Sequence, residues 1–171
     1  VTNAEFDGFL KEASYRPVDK INFLRHWNGT VMPASIARHP VVWVALSDAR
    51  AFCKHVGKRL PDEWEWTYAA QGTDNRSYPW GSTRRESECM PPNFSGHGSA
   101  AGYLPDVDAF DKSGCASPFG AQLMVGTLWQ WTNEFSDEHT RGALLKGGSL
   151  YFRTGVPAGE SSPNTPPGPP R

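Results

Sequence analysis

Cysteine is scarce in this sequence, and its number is odd. Cys53, Cys89 and Cys115 allow at most one intramolecular disulfide and leave one thiol over, so cysteine usage does not decide the redox compartment. An excess of either charge is also missing. Seventeen Lys and Arg stand against eighteen Asp and Glu, a net charge of -1, with no basic stripe, which excludes the electrostatic footprint of a nucleic-acid binder. No apolar run approaches the roughly 18 residues that a membrane span needs. No signal peptide is visible, but the chain opens on Val1 rather than Met, so an upstream segment is compatible with it. There is no internal repeat.

What remains is a chain of 171 residues with 38% hydrophobic and 20% charged side chains. That length suits one domain and buries a core without disulfide staples. Seven Trp is a high count for this length, and Trp serves both cores and binding surfaces. Thr2 and Glu5 have capping-box spacing ahead of an apolar stripe at Phe6, Phe9, Leu10 and Ala13, which predicts a helix ending before Pro17. Residues 16–40 read as irregular, broken by Asn28-Gly29, Pro33 and Pro40. Val41-Val42-Trp43-Val44 reads as a short buried strand. Ser47 is the expected N-cap of a second helix with Ala49, Phe52, Cys53 and Val56 on one face and Gly57 as its left-handed stop. Asp62 and Glu65 repeat the capping-box spacing for a third helix running to about Gly72. From Tyr78 to Pro118 little regular structure is expected; Tyr78-Pro79-Trp80-Gly81 is a turn, and residues 96–102 form a Gly/Ala/Ser-rich loop. Met124-Val125 and Leu128-Trp129 flank Gly126-Thr127 as a strand–turn pair, and Ala143-Leu144-Leu145 is a strand stopped by Gly147-Gly148.

Three segments, in order, carry a resemblance. They are Ala51-Phe52-Cys53 with Gly57-Lys58-Arg59-Leu60-Pro61-Asp62-Glu63-Trp64-Glu65-Trp66, then Met124-Val125-Gly126-Thr127-Leu128-Trp129-Gln130-Trp131-Thr132, then Leu145-Lys146-Gly147-Gly148-Ser149. Together with the opening Val1-Thr2-Asn3-Ala4-Glu5-Phe6, they resemble the formylglycine-generating enzyme (sulfatase-modifying factor) superfamily from Val1 to about Leu150. The resemblance implies an α+β fold, a variant of the C-type-lectin architecture with few short strands and long irregular loops. The residues read alone agree on helices, short strands and long loops.

In that family the oxidase uses two cysteines shortly after the Gly-Gly-Ser motif to bind copper and activate oxygen, as soft thiolates at that spacing suit Cu(I). No Cys follows Ser149 here, so copper is not expected and no catalytic residue is assigned. Cys53 reads as a small buried hydrophobe, while Cys89 and Cys115 lie in loops, paired or free. The sulfoxide-forming branch holds iron through an HxxxHxE pattern, and His26, His39, His55, His97 and His139 show no such spacing. The resemblance also implies a calcium site around the Trp129 motif. Family members carry an acidic or Asn residue where Leu123 stands, Asn at Thr127 and Glu at Gln130. The backbone carbonyls of Gly126 and Leu128, with Gln130, are what survives as a weak ligand set. A second family site, near Asn93-Phe94, needs a carboxylate that residues 96–102 do not supply. Asp106, Asp108 and Asp111 read as turn formers, and Asp62, Glu63 and Glu65 as helix-dipole partners rather than catalytic acids. Asn28, Asn75 and Asn93 head glycosylation sequons, which matter only if the chain is secreted.

Residues 151–171 are rich in Pro and Gly, and their composition predicts a disordered tail after a domain of residues 1–150. Family members run on for roughly 40 residues past Gly-Gly-Ser to a closing strand, so a truncated, frame-shifted or divergent domain is expected. Three functions compete, one of them a structural relic with no activity. Another is a non-catalytic module presenting residues 82–118 and Trp80, Trp129 and Trp131 to a peptide or small ligand. The third is a fragment of an oxygen-dependent oxidoreductase, formylglycine-generating or sulfoxide-forming, whose catalytic end lies outside these residues.

Overall fold

The computed structural model describes residues 1–83, 85–90, 104–109, 114–137, 139 and 142–148. The expected loop of residues 96–102, the site near Asn93, Asp111 and the tail of residues 151–171 lie outside them. The elements are α1 (Asn3–Glu12), a 3-10 turn (Ala34–Ile36), α2 (Leu46–His55), α3 (Glu63–Gln71), α4 (Glu86–Cys89), β1 (Gln130–Asp137) and β2 (Gly142–Lys146). Helices and a small antiparallel sheet make the architecture α+β.

Helix α1 starts where the capping box placed it. The Thr2 hydroxyl accepts the Glu5 N–H at 3.1 Å, and the Glu5 carboxylate accepts the Thr2 N–H at 2.7 Å, which satisfies two free helix-end donors. Its stripe buries Phe6 and Phe9 against Phe52 of α2, with Phe6 stacked and Phe9 edge-on, each with ring centroids 5.6 Å from Phe52. Leu24 and Trp27 complete this buried cluster. Asn3 is fully buried beside it. Its amide donates to the carbonyls of Ile36 and His39 at 3.0 and 3.1 Å, and its oxygen accepts the Trp27 indole N–H at 2.9 Å. One polar side chain thereby ties α1 to the chain that follows.

Three sequence expectations change here. Val41–Val44 is not a strand: Trp43 takes φ +58°, a left-handed conformation that breaks an extended ladder, and its ring is exposed. Only an isolated bridge, Thr2 to Pro40, pairs this stretch with the N-terminus. Ser47 is not the N-cap of α2. The helix starts two residues earlier, with Ala45 as its N-cap, and buried Asp48 accepts the Ala45 N–H at 2.7 Å. The expected strand–turn pair around Gly126-Thr127 is a bend, with strand beginning only at Gln130. Trp129 therefore lies just outside β1.

Other expectations hold. Gly57 (φ +69°) closes α2 in a Schellman motif, with its own N–H on the Lys54 carbonyl at 3.1 Å and the Lys58 N–H on the Cys53 carbonyl at 2.7 Å. The Glu65 carboxylate accepts the Asp62 N–H at 2.9 Å at the start of α3, which ends at Gly72. The strand around Ala143–Leu145 is β2. It pairs antiparallel with β1 from Gln130 opposite Lys146 to Asp137 opposite Gly142, with two register shifts on the β1 side. The Asn133 N–H, freed at the first shift, bonds the Pro61 carbonyl at 2.8 Å and carries the sheet to the mouth of α3. Residues 78–118 also hold the short helix α4, which no sequence pattern announced. A disulfide joins its last residue, Cys89, to Cys115.

Candidate functional site

The elements leave an apolar cavity of about 350 Å³ between α1, α2 and the segment leading into β1. Phe6 and Phe52 floor it, Cys53 of α2 borders it, and Leu128, Trp129 and Trp131 wall the side toward the sheet. That size and apolar lining are those of a small-ligand pocket. Trp131 is held in place by its indole N–H, which donates to the Val44 carbonyl at 3.2 Å. Trp129 stands at the rim, 38% exposed. Thr127, only 5% exposed, also borders the cavity, and its hydroxyl is buried with no hydrogen-bond partner among the described residues. A buried hydroxyl without a partner is costly.

Beside this wall the backbone folds around Gln130. Its side-chain oxygen accepts the Trp66 indole N–H at 2.9 Å. Its amide nitrogen lies 3.2 Å from the Leu123 carbonyl and 3.3 Å from the Met124 carbonyl. Gly147 (φ +91°) closes over the same spot. A Cβ there would fall 2.7 Å from the Met124 carbonyl oxygen, 3.1 Å from the Gln130 nitrogen and 3.3 Å from the Leu128 carbonyl oxygen. Gly147 also accepts the Gly126 N–H at 2.7 Å. Only a residue without a side chain fits this closure, which is a physical reason for glycine in the Gly147-Gly148 pair.

The expected site residues thus part company. Trp129, Trp131, Leu128 and Gln130 come together at the cavity. Trp80 does not line it: its ring stacks on Tyr78 with centroids 5.1 Å apart, and its N–H donates to the Thr83 carbonyl at 3.1 Å. Gly126 packs under Met90 rather than at the cavity wall. Thr127 is the site residue that sequence reasoning treated only as a lost ligand; no local pattern signals an unpaired hydroxyl.

The titratable groups nearby are committed elsewhere. Arg59 grips Glu65 through two hydrogen bonds of 2.6 and 2.7 Å, and with the Asp62 N–H it holds that carboxyl down at about 2. Glu63 is lowered chiefly by its bond to Lys146, whose ammonium also lies over the Trp66 ring at 5.6 Å. Burial raises the Cys53 thiol above its usual value, which keeps it protonated and unreactive near neutral pH. Asp106 and Asp108 sit in a turn and pair with Arg38. Among the described residues, no group of three His, Cys, Asp or Glu gathers as a metal cluster. No described helix is long and apolar enough to cross a membrane.

Comparison with known proteins supplies the context. Residues 1–165 match the sulfatase-modifying factor enzyme 1-like domain. The formylglycine-generating enzyme of Mus musculus is 34% identical over 113 residues, 60% of this chain and 29% of that protein. Its namesake in Mycobacterium tuberculosis is 36% identical over 115 residues, 62% of this chain and 37% of that protein. The inactive C-alpha-formylglycine-generating enzyme 2 of Bos taurus is 34% identical over 137 residues, 72% of this chain and 44% of that protein. The chain therefore spans less than half the length of each of these relatives.

Proposed function

Because the chain belongs to the sulfatase-modifying factor enzyme 1-like family, we propose that it acts as a non-catalytic binding module. The domain is residues 1–150, with a lectin-like arrangement of loops and a Pro/Gly-rich tail after it. The observation that carries this reading is the apolar cavity lined by Phe6, Phe52, Leu128, Trp129 and Trp131. It suits an aromatic or aliphatic peptide side chain, or a small molecule of that kind. Trp129 at the rim would close over the ligand. One observation supports a binding rather than a catalytic role for the cavity: its own Cys53 is kept protonated by burial. A relative described as inactive shows that the family accommodates such members. The Cys89–Cys115 disulfide supports an oxidising compartment.

The test is a tryptophan-fluorescence screen of short peptides and small aromatic ligands. Saturable quenching, lost when Leu128→Trp fills the cavity, is the expected result. The competing reading, part of an oxygen-dependent oxidoreductase, rests on the 34–36% identity to enzymes named formylglycine-generating. Tight copper binding with oxygen uptake by this chain would establish it and sink the first.

A further inference from the structure

We propose that the Gln130 carboxamide does in this chain what a bound divalent cation would do: it gathers the carbonyls of the bend before β1 and fastens that bend to the sheet without metal. The carbonyl oxygens of Leu123 and Met124 converge on one point, and that of Leu128 lies close by. Converging carbonyl dipoles repel one another unless something positive sits among them, and oxygen-lined pockets of this kind are what hard cations occupy. Here the occupant is an N–H donor at 3.2 and 3.3 Å from two of those oxygens.

Its orientation is not a free choice. The Trp66 indole can only donate, so the Gln130 oxygen must face it at 2.9 Å, and the nitrogen must face the carbonyls. An amide nitrogen has no lone pair for a cation and carries partial positive charge. The calcium set that the resemblance implies, the carbonyls of Gly126 and Leu128 with Gln130, therefore does not fit calcium as it stands. Gly147 seals the pocket so closely that even a Cβ would collide with the Met124 carbonyl at 2.7 Å. The inference does not depend on what the neighbouring cavity binds.

The difference from an ordinary hydrogen-bonded glutamine lies in what Gln130→Glu should do. A carboxylate of nearly the same shape loses the donor and adds an oxygen, which turns the pocket into a ligand set needing a cation. The experiment compares thermal unfolding of the purified chain and of Gln130→Glu in EDTA and in calcium, with tryptophan-sensitised terbium luminescence as a second readout. The unsubstituted chain should unfold at the same temperature in both buffers and show no saturable terbium emission. The variant should be weakened in EDTA, regain roughly 5 to 10 °C at about a hundredfold excess of calcium over its dissociation constant, and bind terbium saturably. A midpoint of the unsubstituted chain that falls in EDTA and recovers with calcium overturns the proposal. So does a variant, folded or not, that calcium fails to rescue.

Discussion

Asn3 and Trp27, both buried, are joined by a hydrogen bond of 2.9 Å from the indole N–H to the amide oxygen. The same oxygen accepts from the His26 ring nitrogen at 2.8 Å, and the amide nitrogen is spent on the backbone carbonyls of Ile36, His39 and Pro40. Replacing Asn3 by Ala would leave these partners buried and unpaired. Each such group costs about 1–3 kcal/mol, and relaxation shares the loss, so the expected destabilisation is about 2–4 kcal/mol, read by urea unfolding.

His26 supplies a pH dependence. Burial holds its ring down at about 4, against an ordinary 6.5, and its other nitrogen is buried without a partner among the described residues. The unfolded chain therefore takes up this proton first as the pH falls. The contribution is complete above pH 6.5 and is lost between 6.5 and about 4. Allowing for the ring's partial exposure, on the order of 1–2 kcal/mol should disappear across that window. His26→Gln should flatten the slope there while leaving the loss below pH 4.5, where the Glu65 carboxylate protonates on its way to about 2.

The Cys89–Cys115 disulfide closes a loop of 26 residues in sequence separation. Restricting the unfolded chain to that extent is worth about 3–4 kcal/mol in the loop-entropy account. The double variant Cys89→Ser/Cys115→Ser should lose most of that in unfolding measurements. Thiol titration of the unfolded, unreduced chain should find a single free thiol, Cys53.

Two glycines with positive φ separate strain from collision. At Gly29 (φ +66°) nothing lies within 4 Å of the place a methyl would take, so Ala there should cost about 1 kcal/mol, the backbone penalty alone. At Gly147 (φ +91°) the methyl meets the Met124 carbonyl at 2.7 Å, and Ala should cost about 3 kcal/mol or more in thermal or urea unfolding.

The local chemistry of the helices is legible in the sequence itself. Thr2 with Glu5 and Asp62 with Glu65 are read from spacing because their hydrogen bonds are made within one turn. Gly57 is legible for the same reason. What failed did so through partners far along the chain or through backbone choices that side-chain type does not announce. Trp43 is a good strand residue placed in a left-handed conformation, where the Leu24 N–H meets its carbonyl at 2.9 Å. Ser47 lost the cap to Asp48, a residue engaged by the Tyr15 hydroxyl at 2.7 Å from 33 positions away. Of the site, Trp129, Trp131 and Gln130 were found through motif resemblance. The role of Gln130 was not, because Trp66, the residue that orients it, lies 64 positions earlier.

Those separations set an order of events for a chain made from its N-terminus. The contacts of Asn3 reach no further than Pro40, and the aromatic cluster is complete once Phe52 has appeared. The bonds of Gln130, Trp131 and Asn133 reach back 64, 87 and 83 positions. Short-range closure is quick and long-range closure slow. A nascent chain emerging from the ribosome can thus assemble α1 and α2 as an early kernel, while the binding cavity gains its far wall only when β1 arrives. Between those two moments Phe6, Phe52 and Cys53 face solvent on one side, which makes this interval the stage at which a chaperone would matter most.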